Sequence, residues 1–202
     1  MVTIIIDGPV GCGKSSVLRT LSEEDPSRDV RLEPLEKWKA NLDEFYSDPQ
    51  AHAHAMNMMC MNDLFERDRP SQTTVYSERS FHSSYHIFGK LSMQNHMITK
   101  GQFEEMSEDY TKKNHTAGMK LQDFVFVMLI ASPDVMLKRI MERHSSETFC
   151  SDHMYFHKIH ERYLQWCEEL QHQGVQVITI DTDRPLQAVV NDVRTVVKKY
   201  PK

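Results

Sequence analysis

The chain has 202 residues, of which 40% are hydrophobic, and this suits a single α/β domain over residues 1–202 with one packed core. Its formal net charge of −5 disfavours a nucleic-acid polymer as partner, because polymer-binding domains are usually basic. The longest apolar run, residues 124–131, is too short to cross a bilayer, which disfavours a membrane partner. The four cysteines lack a metal-binding spacing and no signal-peptide pattern is present, so we expect a cytoplasmic location with free thiols.

Apolar runs and turn residues predict five strands that alternate with helices. The strands are expected at residues 2–6, 29–32, 73–76, 123–130 and 175–180. The helices are expected around residues 17–21, over 40–67 with a break near Asp48-Pro49, over 80–116 with a break near Gly101, and over 134–143, 152–172 and 185–199. Such alternation is typical of a parallel sheet covered by helices on both faces, which binds ligands at the carboxyl ends of its strands.

The first predicted turn carries a phosphate-binding signature. Residues 8–15 read G-x-x-x-x-G-K-S between a strand and a helix, the context that this motif requires. Lys14 would reach the β- and γ-phosphates, and Ser15 would ligate Mg²⁺. The turn would bind the remaining phosphate oxygens through its backbone N–H groups, which belong to Gly8, Gly11, Cys12, Gly13 and Ser16. The motif predicts a nucleotide, with ATP and Mg²⁺ as cofactors, and the guanine-reading N-K-x-D of GTPases is absent from the sequence.

Charged residues follow other predicted strands. Glu33 could accept a proton from a hydroxyl, or it could be an ordinary exposed loop residue. Glu78 and Arg79 could pair a metal ligand with a cation for the transition state, or form a surface ion pair. Arg139 and Arg143 share a helical face, where they could clamp the nucleotide phosphates or simply be solvated. The sequence alone leaves these alternatives open.

Taken together, these segments resemble the deoxyribonucleoside kinase family, which includes deoxycytidine kinase, deoxyguanosine kinase and mitochondrial thymidine kinase. The resemblance covers about residues 3–185. It rests on five segments: residues 8–15, Glu33-Pro34-Leu35-Glu36-Lys37-Trp38, Tyr46-Ser47-Asp48-Pro49, Glu78-Arg79-Ser80, and Arg139-x-x-x-Arg143 before a short lid at about 143–152. The family implies a P-loop kinase fold with a five-stranded parallel sheet, and an ATP-dependent transfer of phosphate to the 5′-hydroxyl of a deoxyribonucleoside.

The resemblance also implies a role for each site residue. Glu33 would be the general base that takes the proton of the 5′-hydroxyl. Arg79 would hold that oxygen and the moving phosphate, and Glu78 would support Mg²⁺ together with Ser15. The two arginines at 139 and 143 would close over the ATP phosphates.

A second group of residues would bind the nucleoside. The family implies that Trp38 walls the pocket, that Phe88 stacks on the base and that Tyr46 contacts the sugar 3′-hydroxyl. A glutamate of the lid would assist Tyr46, and Glu147 is the acidic residue available there. The family usually reads the base edge with Gln, and Asn57 stands at this position with a side chain one methylene shorter.

We expect a pyrimidine substrate, thymidine and/or deoxycytidine, and two positions resemble the pyrimidine-accepting, thymidine-type members of the family. Relatives that act on purines or cytidine tend to place Arg and Asp where this chain has Leu64 and Ser84. Three adaptable residues are expected to complete the pocket wall: Met56, Cys60 and Met61.

Two other functions compete with this interpretation. A nucleoside monophosphate kinase resembling thymidylate kinase would also carry the phosphate motif, but a carboxylate at Glu33 would repel its phosphorylated acceptor. A catalytically dead nucleotide-binding module would be expected to lack Glu33 or Arg79, and both are present. The family is usually dimeric, which implies a homodimer.

Overall fold

The computed structural model describes residues 2–68, 71–116, 120–142 and 153–200. Its centre is one five-stranded sheet in which all neighbouring strands are parallel, in the order β2-β3-β1-β4-β5. The strands are β1 (Thr3–Asp7), β2 (Asp29–Arg31), β3 (Val75–Glu78), β4 (Phe124–Ile130) and β5 (Gln176–Asp181). The predicted α/β fold class is therefore confirmed, and each predicted strand is present within three residues of its expected bounds.

The two central strands show why the sheet is covered on both faces. Every residue of β1 is buried, and so are the first six residues of β4. Because successive side chains of a strand point to opposite faces, a fully buried strand must have cover on both. A strand that is covered on both faces is apolar at nearly every position, and this is why continuous apolar runs predicted these two strands.

The helices pack around the sheet and follow the predicted order. They are α1 (Lys14–Glu24), α2 (Leu35–Ser47), α3 (Pro49–Arg67), α4 (Phe81–Ser83), α5 (Lys90–Gln94), α6 (Lys100–Thr116), α7 (Pro133–Glu142), α8 (His153–His172) and α9 (Leu186–Val197). A π-helix, Ser84–Gly89, joins α4 to α5, and a short 3₁₀ turn, Leu121–Asp123, precedes β4. Helix α2 begins at Leu35, five residues before the prediction, directly after Pro34.

The break expected near Gly101 is present: residues 95–99 separate α5 from α6, and Gly101 itself lies inside the first turn of α6. The interruption precedes that helix. Thr99 caps it: the Gln102 side chain accepts a hydrogen bond from the Thr99 backbone N–H at 2.8 Å, and the Thr99 hydroxyl accepts one from the Gln102 N–H at 3.3 Å. This reciprocal capping starts the helix at Lys100, one residue before the glycine.

The strand order brings three separate parts of the chain to one edge. β3 pairs with both β1 and β2, so the carboxyl ends of these three strands are neighbours. The phosphate turn follows β1, Glu33 lies two residues after β2, and Glu78 ends β3 with Arg79 directly behind it. The predicted meeting of these groups at the carboxyl ends of the strands is confirmed.

Arg67, the last residue of α3, ties this edge together. Its guanidinium donates to the carbonyl oxygens of Leu32 at 3.2 Å, Glu78 at 2.8 Å and Arg79 at 2.7 Å. It also donates to the Ser77 hydroxyl at 2.6 Å and forms a bidentate pair with Asp68. The side chain is only 15% exposed, so these hydrogen bonds lie largely out of water. Arg67 therefore connects the backbone after β2 with the backbone at the end of β3.

We expect the substitution Arg67→Lys to lower the free energy of unfolding by about 2–4 kcal/mol, since an ammonium cannot satisfy all of these partly buried acceptors. The measurement is urea unfolding followed by circular dichroism. Arg194→Lys is the matched control, because Arg194 pairs with Glu24 at the surface and such pairs contribute roughly 0–1 kcal/mol. A loss for Arg67→Lys no larger than that of the control would contradict this account.

Candidate active site

The phosphate turn is shaped by its glycines. Gly13 has a φ of 95° and precedes α1, a left-handed conformation that disfavours side chains. At Gly8, with a φ of 145°, a Cβ would lie 2.0 Å from the carbonyl oxygen of Leu129, so no larger residue fits. Cys12 is 1% exposed and its side chain belongs to the core, which leaves only its backbone for a ligand. The local sequence thus builds a turn of backbone N–H groups at the start of a helix, a site suited to phosphate.

Lys14 and Ser15 follow this turn in the first turn of α1. The buried Lys14 ammonium donates to the carbonyl oxygens of Gly8 and Pro9, each at 3.0 Å. The Ser15 hydroxyl donates to Oε1 of Glu78 at 2.6 Å. The predicted serine and carboxylate are therefore adjacent, although 63 residues separate them in the chain.

Arg79 is the cation at the centre of the site. Its guanidinium is buried, and Nε lies 3.3 Å from Oε1 of Glu33 and 3.9 Å from Oδ1 of Asp7. Its backbone φ of 59° is unusual for a residue with a side chain, and the adjacent Arg67 contact stabilises that turn. Burial opposes the charged form, but the surrounding carboxylates outweigh it and raise the pKa of Arg79, which stays a cation.

Glu33 faces Arg79 across the cleft. Its side chain is 8% exposed, so it is not the ordinary loop glutamate that the sequence left possible. Burial raises the pKa of Glu33 above its usual value, while Arg79 and Lys14 oppose part of that rise. Its backbone N–H donates to Oε2 of Glu78 at 3.3 Å, which fixes the loop that carries it. A carboxylate with a raised pKa is a better proton acceptor than an exposed one.

Asp7 was not among the predicted site residues. It ends β1 and is fully buried, and its Oδ1 accepts hydrogen bonds from the Gly8 N–H at 2.7 Å and the Tyr163 hydroxyl at 2.9 Å. Within the described residues, its other oxygen has no hydrogen-bond partner. An acidic residue that ends an apolar strand directly before the phosphate turn is the sequence signal that could have identified it.

The nucleoside-binding residues predicted from the resemblance share one cleft with Glu33 and Arg79. Trp38, Tyr46, Asn57 and Phe88 all line it, together with Lys14 and Ser15 of the phosphate turn. The indole N–H of Trp38 donates to Asp63 at 2.8 Å, which fixes the orientation of the ring. The Phe88 ring lies 4.5 Å from the central carbon of the Arg79 guanidinium.

The predicted pocket wall needs a correction. Met56, Cys60 and Ser84 line the cleft, but Met61 and Leu64 do not. Both are fully buried in an apolar cluster with Trp38 and Phe81, because α3 continues past the end of the cleft and its apolar face is covered there. Leu64 therefore lies behind the wall of the cleft and not in it.

A second missed feature is the π-helix Ser84–Gly89. It carries Ser84 and Phe88, both of which line the cleft. Its wider turn, with hydrogen bonds from residue i to i+5, is rare and often occurs at functional sites. The sequence pattern here predicted ordinary helix and gave no sign of it.

A separate cleft lies behind the phosphate turn. It is lined by Gly11, Gly13, Ser16 and Arg139, and by residues 182, 184–186 and 189 on the far side. Arg139 donates to the carbonyl oxygens of Thr182 at 2.7 Å and Gly11 at 3.4 Å. The turn thus stands between two clefts, and the segment after β5 was not predicted to take part. Arg143, Glu147 and the lid expected at about 143–152 lie outside the described residues.

Known proteins resemble this chain over most of its length. It is 27% identical over 177 residues to a probable deoxycytidine kinase of Fowlpox virus (strain NVSL), an overlap of 82% of this chain and 72% of that protein. It is 23% identical over 205 residues to a thymidine kinase of Ictalurid herpesvirus 1 (strain Auburn), an overlap of 98% and 86%. Both are viral nucleoside kinases by name.

Solved structures share the fold. A deoxyadenosine kinase from M. mycoides with bound dCTP superimposes with a TM-score of 0.84 at 16% identity, over 98% of this chain and 100% of that one. A second structure of that enzyme, described with products dCMP and a flexible dCDP, gives a TM-score of 0.81 at 15% identity, over 98% of both chains. The family model for deoxynucleoside kinases matches residues 4–202. With the phosphate turn, the buried acid and the central arginine all at one sheet edge, this chain belongs to the deoxynucleoside kinase family.

Proposed function

We propose that this kinase transfers the γ-phosphate of ATP to the 5′-hydroxyl of a pyrimidine deoxynucleoside, with Glu33 as general base. The observation that carries the proposal is the buried pair of Glu33 and Arg79, 3.3 Å apart, in the cleft that also contains Lys14 and Ser15. A hydroxyl between the acid and the phosphate turn would meet a proton acceptor on one side and the phosphoryl donor on the other.

The proton and the charge would be handled by different side chains. The Glu33 carboxylate would accept the 5′-hydroxyl proton as the oxygen attacks phosphorus. Arg79, which stays charged, would hold the attacking oxygen and the equatorial oxygens of the moving phosphate. Its neighbours Asp7 and Glu33 balance that charge before substrate binds, so the guanidinium needs little reorganisation during transfer.

ATP would lie across the phosphate turn. Lys14 would leave its carbonyl partners to contact the β- and γ-phosphates, and Arg139, already beside the turn, would contact phosphate from the second cleft. Arg143 is expected to join it. The second cleft, on the other side of the turn from Glu33, would take the nucleotide base, so that donor and acceptor approach the turn from opposite sides.

The residues present fit a magnesium ion. Ser15 and Glu78 place a hydroxyl and a carboxylate 2.6 Å apart beside the phosphate turn. Magnesium prefers oxygen ligands, and in kinases it usually takes one or two from the protein and others from phosphates and water. Bound there, it would offset the negative charge of the β- and γ-phosphates.

The nucleoside cleft suits a flat, neutral base. Trp38 and Phe88 supply aromatic faces, Asn57 supplies a carboxamide, and Ser84 stands where an acidic reader occurs in some relatives. Tyr46 would contact the sugar 3′-hydroxyl, and Glu147 is proposed to assist it. The names of the two viral relatives, a deoxycytidine and a thymidine kinase, support a pyrimidine. Three carboxylates near Arg79 weigh against a phosphorylated acceptor, as in a monophosphate kinase.

Assembly and location stay predictions. A homodimer is proposed from the family alone. A cytoplasmic location agrees with the free thiols of Cys12, Cys60 and Cys167. Over the described part of the chain, no helix combines the length and the apolar character needed to cross a membrane.

Lys14→Ala should lower kcat by about 10²–10³-fold, because it removes the cation expected on the β- and γ-phosphates. The assay is transfer of labelled phosphate from ATP to thymidine. Lys100→Ala, which removes an exposed lysine of α6, is the control and should leave the rate unchanged. A folded Lys14→Ala protein with a normal rate would rule out the proposed role of the phosphate turn.

Thymidine and deoxycytidine should exceed deoxyadenosine and deoxyguanosine in kcat/KM by roughly tenfold or more, because the cleft offers one short carboxamide and no charged reader at Ser84. Steady-state kinetics with all four nucleosides and with dTMP measures this. A preference for purines would refute the pyrimidine assignment and leave the kinase assignment intact, whereas dTMP as the best acceptor would favour a monophosphate kinase.

Glu33→Gln should slow single-turnover phosphorylation by about 10²–10⁴-fold while thymidine binding changes little, because Gln keeps the shape but cannot take the proton. The wild-type rate should fall as the pH drops through the raised pKa of Glu33, since protonation removes the base. In the Glu33→Gln variant the rate should no longer fall in this way as the pH drops, so the acidic limb of its pH–rate profile should be absent.

Glu36→Gln, at an exposed position in the first turn of α2, is the matched control and should keep both the rate and its fall at low pH. If single-turnover rates for Glu33→Gln stay within about threefold of wild type, Glu33 is not the base. Glu78 would then be the next candidate.

A further inference from the structure

Asn57 and Ser92 form a buried polar pair in the nucleoside cleft. The Asn57 carboxamide nitrogen donates to the Ser92 hydroxyl oxygen at 2.8 Å. The residues come from α3 and α5, are 8% and 6% exposed, and both line the cleft. Two polar side chains are costly to bury, and each still has hydrogen-bonding capacity beyond this contact.

We propose that Ser92 is a specificity-determining residue that reads the pyrimidine base together with Asn57. The proposal rests on the proposed function. When the serine oxygen accepts from Asn57, its own proton stays available to donate to a ligand, and the carboxamide oxygen of Asn57 stays available to accept. The pair therefore presents one acceptor and one donor side by side.

This pair can exchange its two roles. If the carboxamide rotates by half a turn, the Ser92 hydroxyl donates to the Asn57 oxygen, the Asn57 nitrogen donates to the ligand and the serine oxygen accepts. In the first arrangement the pair complements cytosine, whose N4 amino group donates and whose N3 accepts. In the second it complements thymine, whose N3–H donates and whose O4 accepts. One pair of side chains can thus read either pyrimidine.

The serine also compensates for a short side chain. Asn57 is one methylene shorter than a Gln at the same place, and the nitrogen of its carboxamide is already bonded to Ser92, so its oxygen is the end that stays available for the base. Ser92 supplies the second group from a neighbouring helix, in hydrogen-bond contact with the first. The reader is therefore divided between two elements of the fold, α3 and α5.

The test is Ser92→Ala, assayed with deoxycytidine and with thymidine. We expect kcat/KM to fall about tenfold for both, since each loses a hydrogen bond and leaves a base atom unpaired. A difluorotoluene deoxynucleoside, which has the shape of thymidine without its hydrogen-bonding edge, should be used equally well by both proteins. Ser107→Ala removes a half-buried hydroxyl outside the cleft, where it bonds Tyr85, and should leave all three substrates unaffected.

A double-mutant cycle tests the coupling. In a protein that already carries Asn57→Ala, the further change Ser92→Ala should lower kcat/KM by less than about threefold, because the two residues recognise the base together. Equal losses with the difluorotoluene analogue would show a general distortion and overturn the proposal. Unchanged kinetics for both pyrimidines in Ser92→Ala would overturn it too while the proposed function stands. A wild-type protein that phosphorylates neither pyrimidine would instead refute the proposed function and the inference with it.

Discussion

The burial of charge at the carboxyl edge of the sheet is the constraint on which the site depends. Arg79 and Lys14 lie there with Asp7, Glu33 and Glu78, and these side chains are largely shielded from water. Any one of these charges buried alone would be strongly unfavourable, but together they offset one another and share hydrogen bonds. The cluster is therefore stable only as a set, and its parts come from the ends of three neighbouring strands. The strand order that brings these charges together is therefore also what makes their burial possible.

Much of this arrangement could be predicted because its signals are local. The phosphate turn is a continuous motif, the central strands are continuous apolar runs, and parallel strands bring their carboxyl ends together whatever the details. Other features depend on contacts between distant parts of the chain. The Tyr163 hydroxyl bonds Asp7 across 156 residues, and Arg67 reaches Leu32 across 35. Neither partner carries a pattern that identifies the other.

Small displacements and errors in the predictions also have physical causes. Gly101 indicated a break because glycine disfavours helix interiors, and the break lies just before it because Thr99 caps the start of α6. Met61 and Leu64 were expected near the ligand from the family resemblance, but the depth to which a helix face is covered depends on its neighbours. Sequence spacing predicts which residues share a face and says little about where along that face the cleft ends.

The π-helix has an evolutionary consequence. It lies between β3, which carries Glu78, and α5, which carries Ser92, and it holds one residue more per turn than an α-helix would. Deleting a single residue there would let the chain wind as an ordinary α-helix with the segments on either side kept roughly in place, because the wider turn already absorbs the extra residue. Ser92 would then stay near Asn57, whereas Ser84 and Phe88, which lie within the π-turn and line the cleft, would shift along its wall. A change in chain length at this turn would therefore reshape the cleft wall without touching the phosphate turn, Glu33 or Arg79.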